Sequence, residues 1–172
     1  MNLLTDIAPG TEDNMNVIIE IPEGSRNKYE YDKKNNIFAL DRPLNSKFAY
    51  PADYGFIPQT HCDDGDPLDA FVLMREPVFP GILVPARPVA VLIMEDGGEQ
   101  DDKLVCVPIK DKYADKIQDK EDLPEQLLKE IKHFLEHYKD VKGGNVKITG
   151  IEGKAKAIEV FKASIELYKQ QK

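Results

Sequence analysis

The first two thirds of the chain consist of short apolar segments separated by turn-forming residues, a pattern that predicts β-strands. Two of these segments flank the turn-rich residues 32–36 and therefore predict a β-hairpin. Pro85 and Pro88 interrupt another segment, which favours an edge strand or a bent strand over a flat central one. The predicted strands are residues 16–21, 28–31, 37–40, 70–74, 83–94 and 104–107.

Helical spacing of apolar residues replaces this pattern in the last third of the chain. It predicts two amphipathic helices, with Gly143 and Gly144 beyond the end of the first and a short strand at residues 146–149 between them. Asp122 and Glu125 have the spacing of a capping box for the first helix. The apolar faces are formed by Leu127, Leu128, Ile131, Phe134, Leu135 and Tyr138, and by Ile158, Phe161, Ile165 and Tyr168.

This order of elements indicates the fold class. Many short strands followed by helices predict an α+β protein, mainly β, with a closed or nearly closed β-barrel and helices packed outside it. An open parallel α/β sheet is the alternative, but strands do not alternate with helices before about residue 120. With 172 residues and no internal repeat or linker, we expect a single domain over residues 1–172.

Composition narrows the functional classes. A net charge of −8 argues against a nucleic-acid partner, which would require a basic face. The chain has no apolar run of about 18 residues and no signal-peptide pattern, so we expect neither membrane association nor secretion. Cys62 and Cys106 are too few for a disulfide framework and lack zinc-ligand spacing. We therefore expect two free thiols in a cytoplasmic protein.

Residues 64–69, the first acidic cluster, place three carboxylates within six positions directly before an apolar segment. Crowded carboxylates raise one another's pKa unless a positive charge lies among them, and Mg²⁺ prefers such oxygen ligands. A plain turn is the alternative, since Asp, Gly and Pro all favour turns. A calcium EF-hand is excluded, because Leu68, Asp69 and Arg75 occupy its fifth, sixth and twelfth positions. The cluster reads Asp64-Gly65-Asp66-Pro67-Leu68-Asp69.

Residues 95–102, the second acidic cluster, lie between two predicted strands. They could form a solvated hairpin tip, or, together with the first cluster, hold two or more Mg²⁺ ions around one substrate. Basic and phenolic groups suited to anionic oxygens occur elsewhere, although each alone is compatible with surface solvation or core packing. These groups are Lys28, Arg42, Tyr54, Lys103, Tyr138 and Lys139.

The first acidic cluster resembles the signature of the soluble family I inorganic pyrophosphatases. Six further segments resemble that family in the same order, and the compact length is similar to its prokaryotic branch. Together these matches extend from about residue 20 to residue 139. The six segments are residues 20–22, 28–30, 41–42, 50–55, 96–103 and 133–139.

The resemblance implies a five-stranded OB-type barrel with flanking helices, assembled as a homohexamer, that hydrolyses pyrophosphate to two orthophosphates with several Mg²⁺ ions. It implies Mg²⁺ ligation by Asp64, Asp69 and Asp101, with Asp96 helping to hold a further ion. It implies Asp66 as the general base that deprotonates the attacking water. The basic and phenolic groups above would bind phosphoryl oxygens, and the implied supporting residues are Glu20, Glu30 and Tyr50.

One departure from the family pattern concerns the second acidic cluster. Many relatives carry an acidic pair here, whereas this chain has Asp96 followed by Gly97, with Glu95 on the other side. Glu95 should point to the opposite face of a continuing strand. Three alternatives stay open: another Mg²⁺-dependent phosphohydrolase acting on nucleotides or phosphomonoesters, an oligonucleotide-binding OB module, and an inactive relative.

Overall fold

The computed structural model describes residues 1–139 and 145–171, so Gly143 and Gly144 lie outside the described residues. Within these residues, ten strands precede or separate two helices, and two short 3₁₀ turns, Lys112–Ala114 and Lys120–Asp122, lie before the first helix. The strands are β1 (Gly10–Thr11), β2 (Asn14–Ile21), β3 (Asn27–Asp32), β4 (Ile37–Pro43), β5 (Asp53–Phe56), β6 (Asp69–Val72), β7 (Leu83–Asp96), β8 (Glu99–Gln100), β9 (Lys103–Pro108) and β10 (Val146–Gly153). The helices are α1 (Glu125–His137) and α2 (Lys154–Gln170).

Five strands close into a ring in the order β2, β5, β6, β9 and β7, because β7 pairs back onto β2. Every strand pair in the described part of the chain is antiparallel except β6–β9, which is parallel. The ring with two helices packed on it confirms an α+β, mainly β fold with a five-stranded OB-type barrel. The alternative of an open parallel α/β sheet is wrong.

Strand β7 is central to the sheet. It pairs with β2 near its start, with β9 along its middle and with β10 toward its end. The register against β9 shifts between Pro88 and Ala90, where the proline interrupts the ladder. The strand is therefore bent, which confirms one of the two predicted alternatives. The other alternative, an edge strand, is wrong.

Strand β5 is not among the predicted strands. Its residues Asp53 and Gly55 are both unfavourable in strands, which weakens the sequence signal. The backbone nevertheless requires glycine here, because a Cβ at Gly55 would lie 1.9 Å from the Ile18 carbonyl oxygen on β2. The close approach of two chain segments requires glycine at this position, and the hydrophobic pattern of the sequence does not reveal that approach.

Alternating residues of the barrel strands face two apolar clusters. On β9, Val105 and Val107 pack in the cluster that contains α1, whereas Leu104 and Cys106 pack in the cluster that contains α2. Strand β9 is thus buried on both faces, as its continuous apolar run indicates. Both cysteines are free thiols, as predicted. Among helices in the described ranges, none is long and apolar enough to cross a membrane.

The predicted hairpin is confirmed as β3–β4, which forms a two-stranded sheet of its own. A third, smaller apolar cluster joins it to the barrel: Tyr31 and Phe38 of the hairpin pack against Ile18 and Phe56. The backbone amide of Leu3 donates to the Tyr31 hydroxyl at 3.0 Å, so the N-terminal segment also contacts the hairpin. The hairpin is therefore positioned beside the end of the barrel.

The capping box predicted for α1 is wrong. Pro124 is the N-cap of α1 and makes no side-chain cap. The Asp122 carboxylate instead accepts hydrogen bonds from the Gln118 and Asp119 amides, at 2.8 and 3.1 Å. Asp122 thus closes the preceding 3₁₀ turn, where Asp119 and Asp122 form the capping box.

Candidate active site

The predicted site residues converge on one cleft at an end of the barrel, with a volume of about 240 Å³. All of them line this cleft except Arg42 and Tyr50. They are contributed by β2, β3, β5, β7, the loop into β6 and its first residue, the loop into β9 and its first residue, and the residues just after α1. Candidate residues in the lining are Glu20, Lys28, Glu30, Tyr54, Asp64, Asp66, Asp69, Asp96, Asp101, Lys103, Tyr138 and Lys139.

The first acidic cluster forms a tight loop that ends at the first residue of β6. Gly65 has a φ of +87°, a left-handed conformation that favours glycine. The loop closes through two hydrogen bonds: the Cys62 amide donates to the Asp66 carbonyl at 2.8 Å, and the Asp66 amide donates to Asp64 Oδ1 at 3.0 Å. This backbone geometry presents all three carboxylates to the cleft.

Lys103 joins the two acidic clusters. The parallel register of β6 and β9 places Lys103 directly beside Asp69. Its ammonium donates to Asp69 Oδ2 at 2.6 Å and to the Asp101 carboxylate. The hydroxyl of Tyr54, on the neighbouring strand β5, also donates to Asp69 Oδ2 at 2.6 Å. Two carboxylates and two donors from four different segments therefore meet at one point.

Burial and neighbouring carboxylates shift the pKa values in this part of the cleft. Burial, followed by the charge on Asp69, raises the pKa of Glu20 to about 8. Burial also raises the pKa of Asp101 to about 6, even though Lys103 opposes the shift. For Lys103, burial alone would lower the pKa, but the carboxylates of Asp69 and Asp101 outweigh it and raise the pKa. The cleft favours additional positive charge.

Only some carboxylates of the second acidic cluster face the cleft. Asp96, at the end of β7, pairs with the Lys139 ammonium and lines the cleft, whereas Glu95 is exposed and lies outside the lining. Asp102 turns inward, where its Oδ1 accepts the Met94 amide at 2.9 Å. Asp96 and Asp101 are thus the members of this cluster that face the cleft, and Glu95 is directed away as predicted.

The hairpin supplies the opposite wall. The Lys28 ammonium pairs with Glu30 and lies 3.4 Å from Asp41 Oδ2. Arg42 is the cross-strand partner of Lys28 and pairs with the same Asp41 carboxylate, at the edge of the cleft and outside its lining. Glu20 Oε1 accepts the Tyr31 amide at 2.7 Å, which ties β2 to the hairpin.

Aromatic rings form the floor of the cleft. Tyr138, the C-cap of α1, stacks on Phe134 with ring centroids 4.8 Å apart. Tyr50 is buried between them and Tyr54, at centroid distances of 4.7 Å to Phe134 and 5.5 Å to Tyr54. Burial raises the pKa of the Tyr54 and Tyr50 hydroxyls, so both are neutral donors. Tyr50 therefore supports the cleft from beneath its lining.

Comparison with known proteins agrees with this geometry. The inorganic pyrophosphatase family matches residues 17–169 of the chain. Inorganic pyrophosphatases of Haloferax volcanii and Methanosarcina acetivorans are 44% and 48% identical; the matches cover 99% and 88% of this chain and 98% and 90% of those proteins. The crystal structure of the Thermus thermophilus inorganic pyrophosphatase has a TM-score of 0.93 at 43% identity, covering 98% of this chain and 99% of that one.

The chain belongs to the inorganic pyrophosphatase family. The family resemblance predicted from the motifs is confirmed, including its family I, prokaryotic type. Members of this family are hydrolases that act on a diphosphate bond, so the chain is an inorganic diphosphatase. A non-catalytic oligonucleotide-binding module does not fit this assignment.

The donor set of this pyrophosphatase cleft suits a hard divalent cation. Its acidic lining offers carboxylate oxygens and contains neither thiol nor imidazole among the described residues. Within residues 1–139 and 145–171, no three His, Cys, Asp or Glu side chains converge closely enough to hold a metal ion as they stand. Lysines pair with Asp66, Asp69, Asp96 and Asp101 instead. The carboxylates fit Mg²⁺ chemically, because each of these ion pairs engages one oxygen and a carboxylate has two.

Lys33 and Asp53 are examples of residues in or near the site that are not among the predicted ones. Lys33, in the hairpin turn, lines the cleft, but a lysine beside Lys34 in a polar turn carries no signal that distinguishes it from a solvated residue. Asp53 is fully buried, and its carboxylate accepts the amides of Glu23 and Val78 at 2.7 and 2.9 Å. It ties together two loops beside β5, which only the folded chain reveals.

Proposed function

We propose that the chain hydrolyses inorganic pyrophosphate to two orthophosphates in a Mg²⁺-dependent reaction. The observation that carries this proposal is the cleft itself, where the carboxylates of Asp64, Asp69 and Asp101 lie beside buried cationic and phenolic donors. Pyrophosphate is a small polyanion, so its hydrolysis requires charge neutralisation and a positioned nucleophile. A cleft of about 240 Å³ with this lining suits such a small, highly charged substrate.

Asp64, Asp69 and Asp101 would be the principal Mg²⁺ ligands, and Asp96 would help to hold a further ion. When bound, Mg²⁺ neutralises phosphoryl oxygens and lowers the pKa of water from about 15.7 toward about 7. Support for these roles comes from the raised pKa of Asp101, to about 6, which follows from burial and makes nearby positive charge favourable. Gly97 leaves the outermost ion with fewer protein ligands than an acidic pair would provide.

Asp66 would be the general base. Its side chain is 63% exposed at the mouth of the cleft, so a water molecule can reach it, whereas that of Asp69 is 20% exposed and already accepts two hydrogen bonds. A base must lie within hydrogen-bond reach of the proton it removes. The attacking water would give its proton to Asp66 while the phosphoanhydride bond breaks and the second phosphate leaves.

The remaining residues would hold the substrate. Arginine provides a rigid fork of donors, lysine a point charge and tyrosine a neutral donor, all suited to phosphoryl oxygens. Glu20, Glu30 and Tyr50 would support the site through hydrogen bonds and packing; Glu20 already accepts the Tyr31 amide. The proposed substrate-binding residues are Lys28, Arg42, Tyr54, Lys103, Tyr138 and Lys139.

We propose further that residues 1–172 act as one domain in the cytoplasm and assemble as a homohexamer, as the family resemblance implies. Side chains that a subunit contact could cover include Phe79 and Ile82, which are 82% and 44% exposed. Sedimentation velocity would test the assembly. A monomer at micromolar concentration would contradict it.

Phosphate release from pyrophosphate tests the activity. We expect hydrolysis with Mg²⁺, none with EDTA, and recovery when Mg²⁺ is restored. ATP and a phosphomonoester should be hydrolysed much more slowly, because the charged groups of the lining suit a compact polyanion. Comparable rates on ATP and pyrophosphate would favour a nucleotide phosphohydrolase, and release that EDTA does not affect would contradict the role of the metal.

A further inference from the structure

An ion pair crosses the mouth of the cleft. The Lys33 ammonium lies 2.6 Å from Asp66 Oδ1 and joins the hairpin turn to the first acidic cluster. Lys33 is 33 positions from Asp66 in the chain, so only the packing of the hairpin on the barrel brings the two together. The carboxylate of the proposed base is therefore paired with a cation.

The turn that carries Lys33 is well defined. The Asp32 carboxylate accepts the amides of Lys34 and Asn35 at 2.8 and 3.0 Å, and the Asn36 amide donates to the Asp32 carbonyl at 2.8 Å. Asn36 adopts a left-handed conformation with a φ of +57°, which asparagine tolerates. The backbone is thus fixed, while the four-carbon stem of Lys33 is free to move its ammonium.

Lys33 differs from the other lysines that line the described part of the cleft. Its side chain is 54% exposed, compared with 5% for Lys103, 21% for Lys28 and 29% for Lys139. An exposed ion pair contributes little to stability and opens readily, whereas the buried pairs of Lys103 are costly to break. Lys33 is the cation in this lining that can most easily exchange partners.

We propose that Lys33 binds a phosphoryl oxygen of incoming pyrophosphate and, in doing so, releases Asp66. This inference rests on the proposed function and adds a substrate-binding residue to it. The polyanion offers Lys33 several negative oxygens, a stronger partner than one exposed carboxylate. Partner exchange frees Asp66 to accept the proton of the attacking water only after substrate has entered. Lys33 thereby couples substrate binding to the availability of the base.

Steady-state kinetics at fixed free Mg²⁺ test the proposal in Lys33→Met, with Lys34→Met as the matched control. Lys34 is a neighbouring exposed lysine of the same turn that is not among the described residues lining the cleft. We expect the KM for magnesium pyrophosphate to rise about tenfold in Lys33→Met, the lower end expected for one charge-assisted hydrogen bond. The kcat should stay within about twofold, because Asp66 remains present and is no longer occupied. Lys33→Arg should restore most of the KM.

Three outcomes would overturn the inference. Kinetics of Lys33→Met equal to those of Lys34→Met would show that Lys33 is a solvated turn residue. A lower kcat with an unchanged KM would show that Lys33 acts only by holding Asp66. A raised KM that Lys33→Arg does not restore would argue against a charge contact. If the wild-type protein releases no phosphate from pyrophosphate, the proposed function fails first, so the two failures are distinguishable.

Discussion

Asp66 and Asp69 lie three positions apart in one loop, but their surroundings differ. Asp69 accepts hydrogen bonds from Tyr54 and Lys103 and sits at the junction of the two acidic clusters. Asp66 meets only the exposed Lys33 among the ion pairs described and is open to water. Neighbouring carboxylates of the same motif can therefore have separate roles, and substituting each one in turn distinguishes those roles.

We expect Asp66→Asn to lower kcat by about 10²–10⁴-fold, because the shape of the base is kept and its proton affinity is lost. Asp69→Asn should instead weaken Mg²⁺ binding, since it removes a ligand charge. Mg²⁺ should raise the melting temperature of the wild-type protein and of Asp66→Asn, and raise that of Asp69→Asn less at the same concentration. Normal turnover of Asp66→Asn at saturating Mg²⁺ would contradict the assignment.

The sequence predicts the role of a single residue more readily when its interaction partners lie close to it in the chain. The carboxylates of the first acidic cluster are close in the chain, so the sequence exposes their crowding directly. Lys33 and Asp53 have partners 25 to 33 positions away, and nothing in the local pattern marks them. The resemblance predicts Arg42 as a phosphate ligand, and the structure brings it only to the edge of the cleft, beside Lys28.

At the scale of elements, periodicity predicts strands and helices well but locates their caps less well. The apolar spacing of α1 and α2 identifies both helices, because burial of one face repeats locally. The start of α2 depends on a residue from elsewhere: Asp119 Oδ1 accepts the Lys154 amide at 2.9 Å and the Lys120 amide at 2.7 Å. A cap supplied from 35 positions away leaves no trace in the helix sequence.

A double-mutant cycle tests this shared cap. Asp119→Ala should reduce the free energy of unfolding by about 1–2 kcal/mol, because two amides lose their acceptor. Gly153→Ala should also destabilise, since its Cβ would lie 2.3 Å from Asp119 Oδ1. The two losses should not add: once the carboxylate is absent, the new methyl group at position 153 meets no clash, so the second substitution should cost little. Additive losses in urea unfolding would contradict the contact.

The same cap predicts a pH dependence. Hydrogen bonds from the amides of Lys154 and Lys120 lower the pKa of Asp119 in the folded state. Because the pKa is lower in the folded state, the ionised carboxylate stabilises the protein above the unfolded pKa of about 3.9. This contribution is lost as the pH falls through the folded pKa. The stability difference between wild type and Asp119→Ala should therefore be constant between about pH 5 and about pH 7 and shrink in more acidic urea titrations. A difference that grows on acidification would contradict it.

At the scale of the whole molecule, the local sequence pattern does not predict that the strands close into a ring. Alternation and turn residues predict strands and an α+β class, but closure depends on the pairing of β2 with β7, which are far apart in the chain. The strand number and the OB type follow from the family resemblance and are confirmed. The bent course of β7, which pairs with β2, β9 and β10 in turn, allows one strand to close the ring.

The parallel pair β6–β9 has a consequence for how the chain folds. Asp69 and Lys103 are 34 positions apart, with β7 between them in the chain, so the junction of the cleft depends on non-local pairing. Such contacts form slowly because loop-closure entropy opposes them. On dilution from urea, we expect far-UV circular dichroism to recover before pyrophosphate hydrolysis, at any protein concentration at which the assembly forms rapidly. Simultaneous recovery would show that the catalytic cleft forms with the first strands.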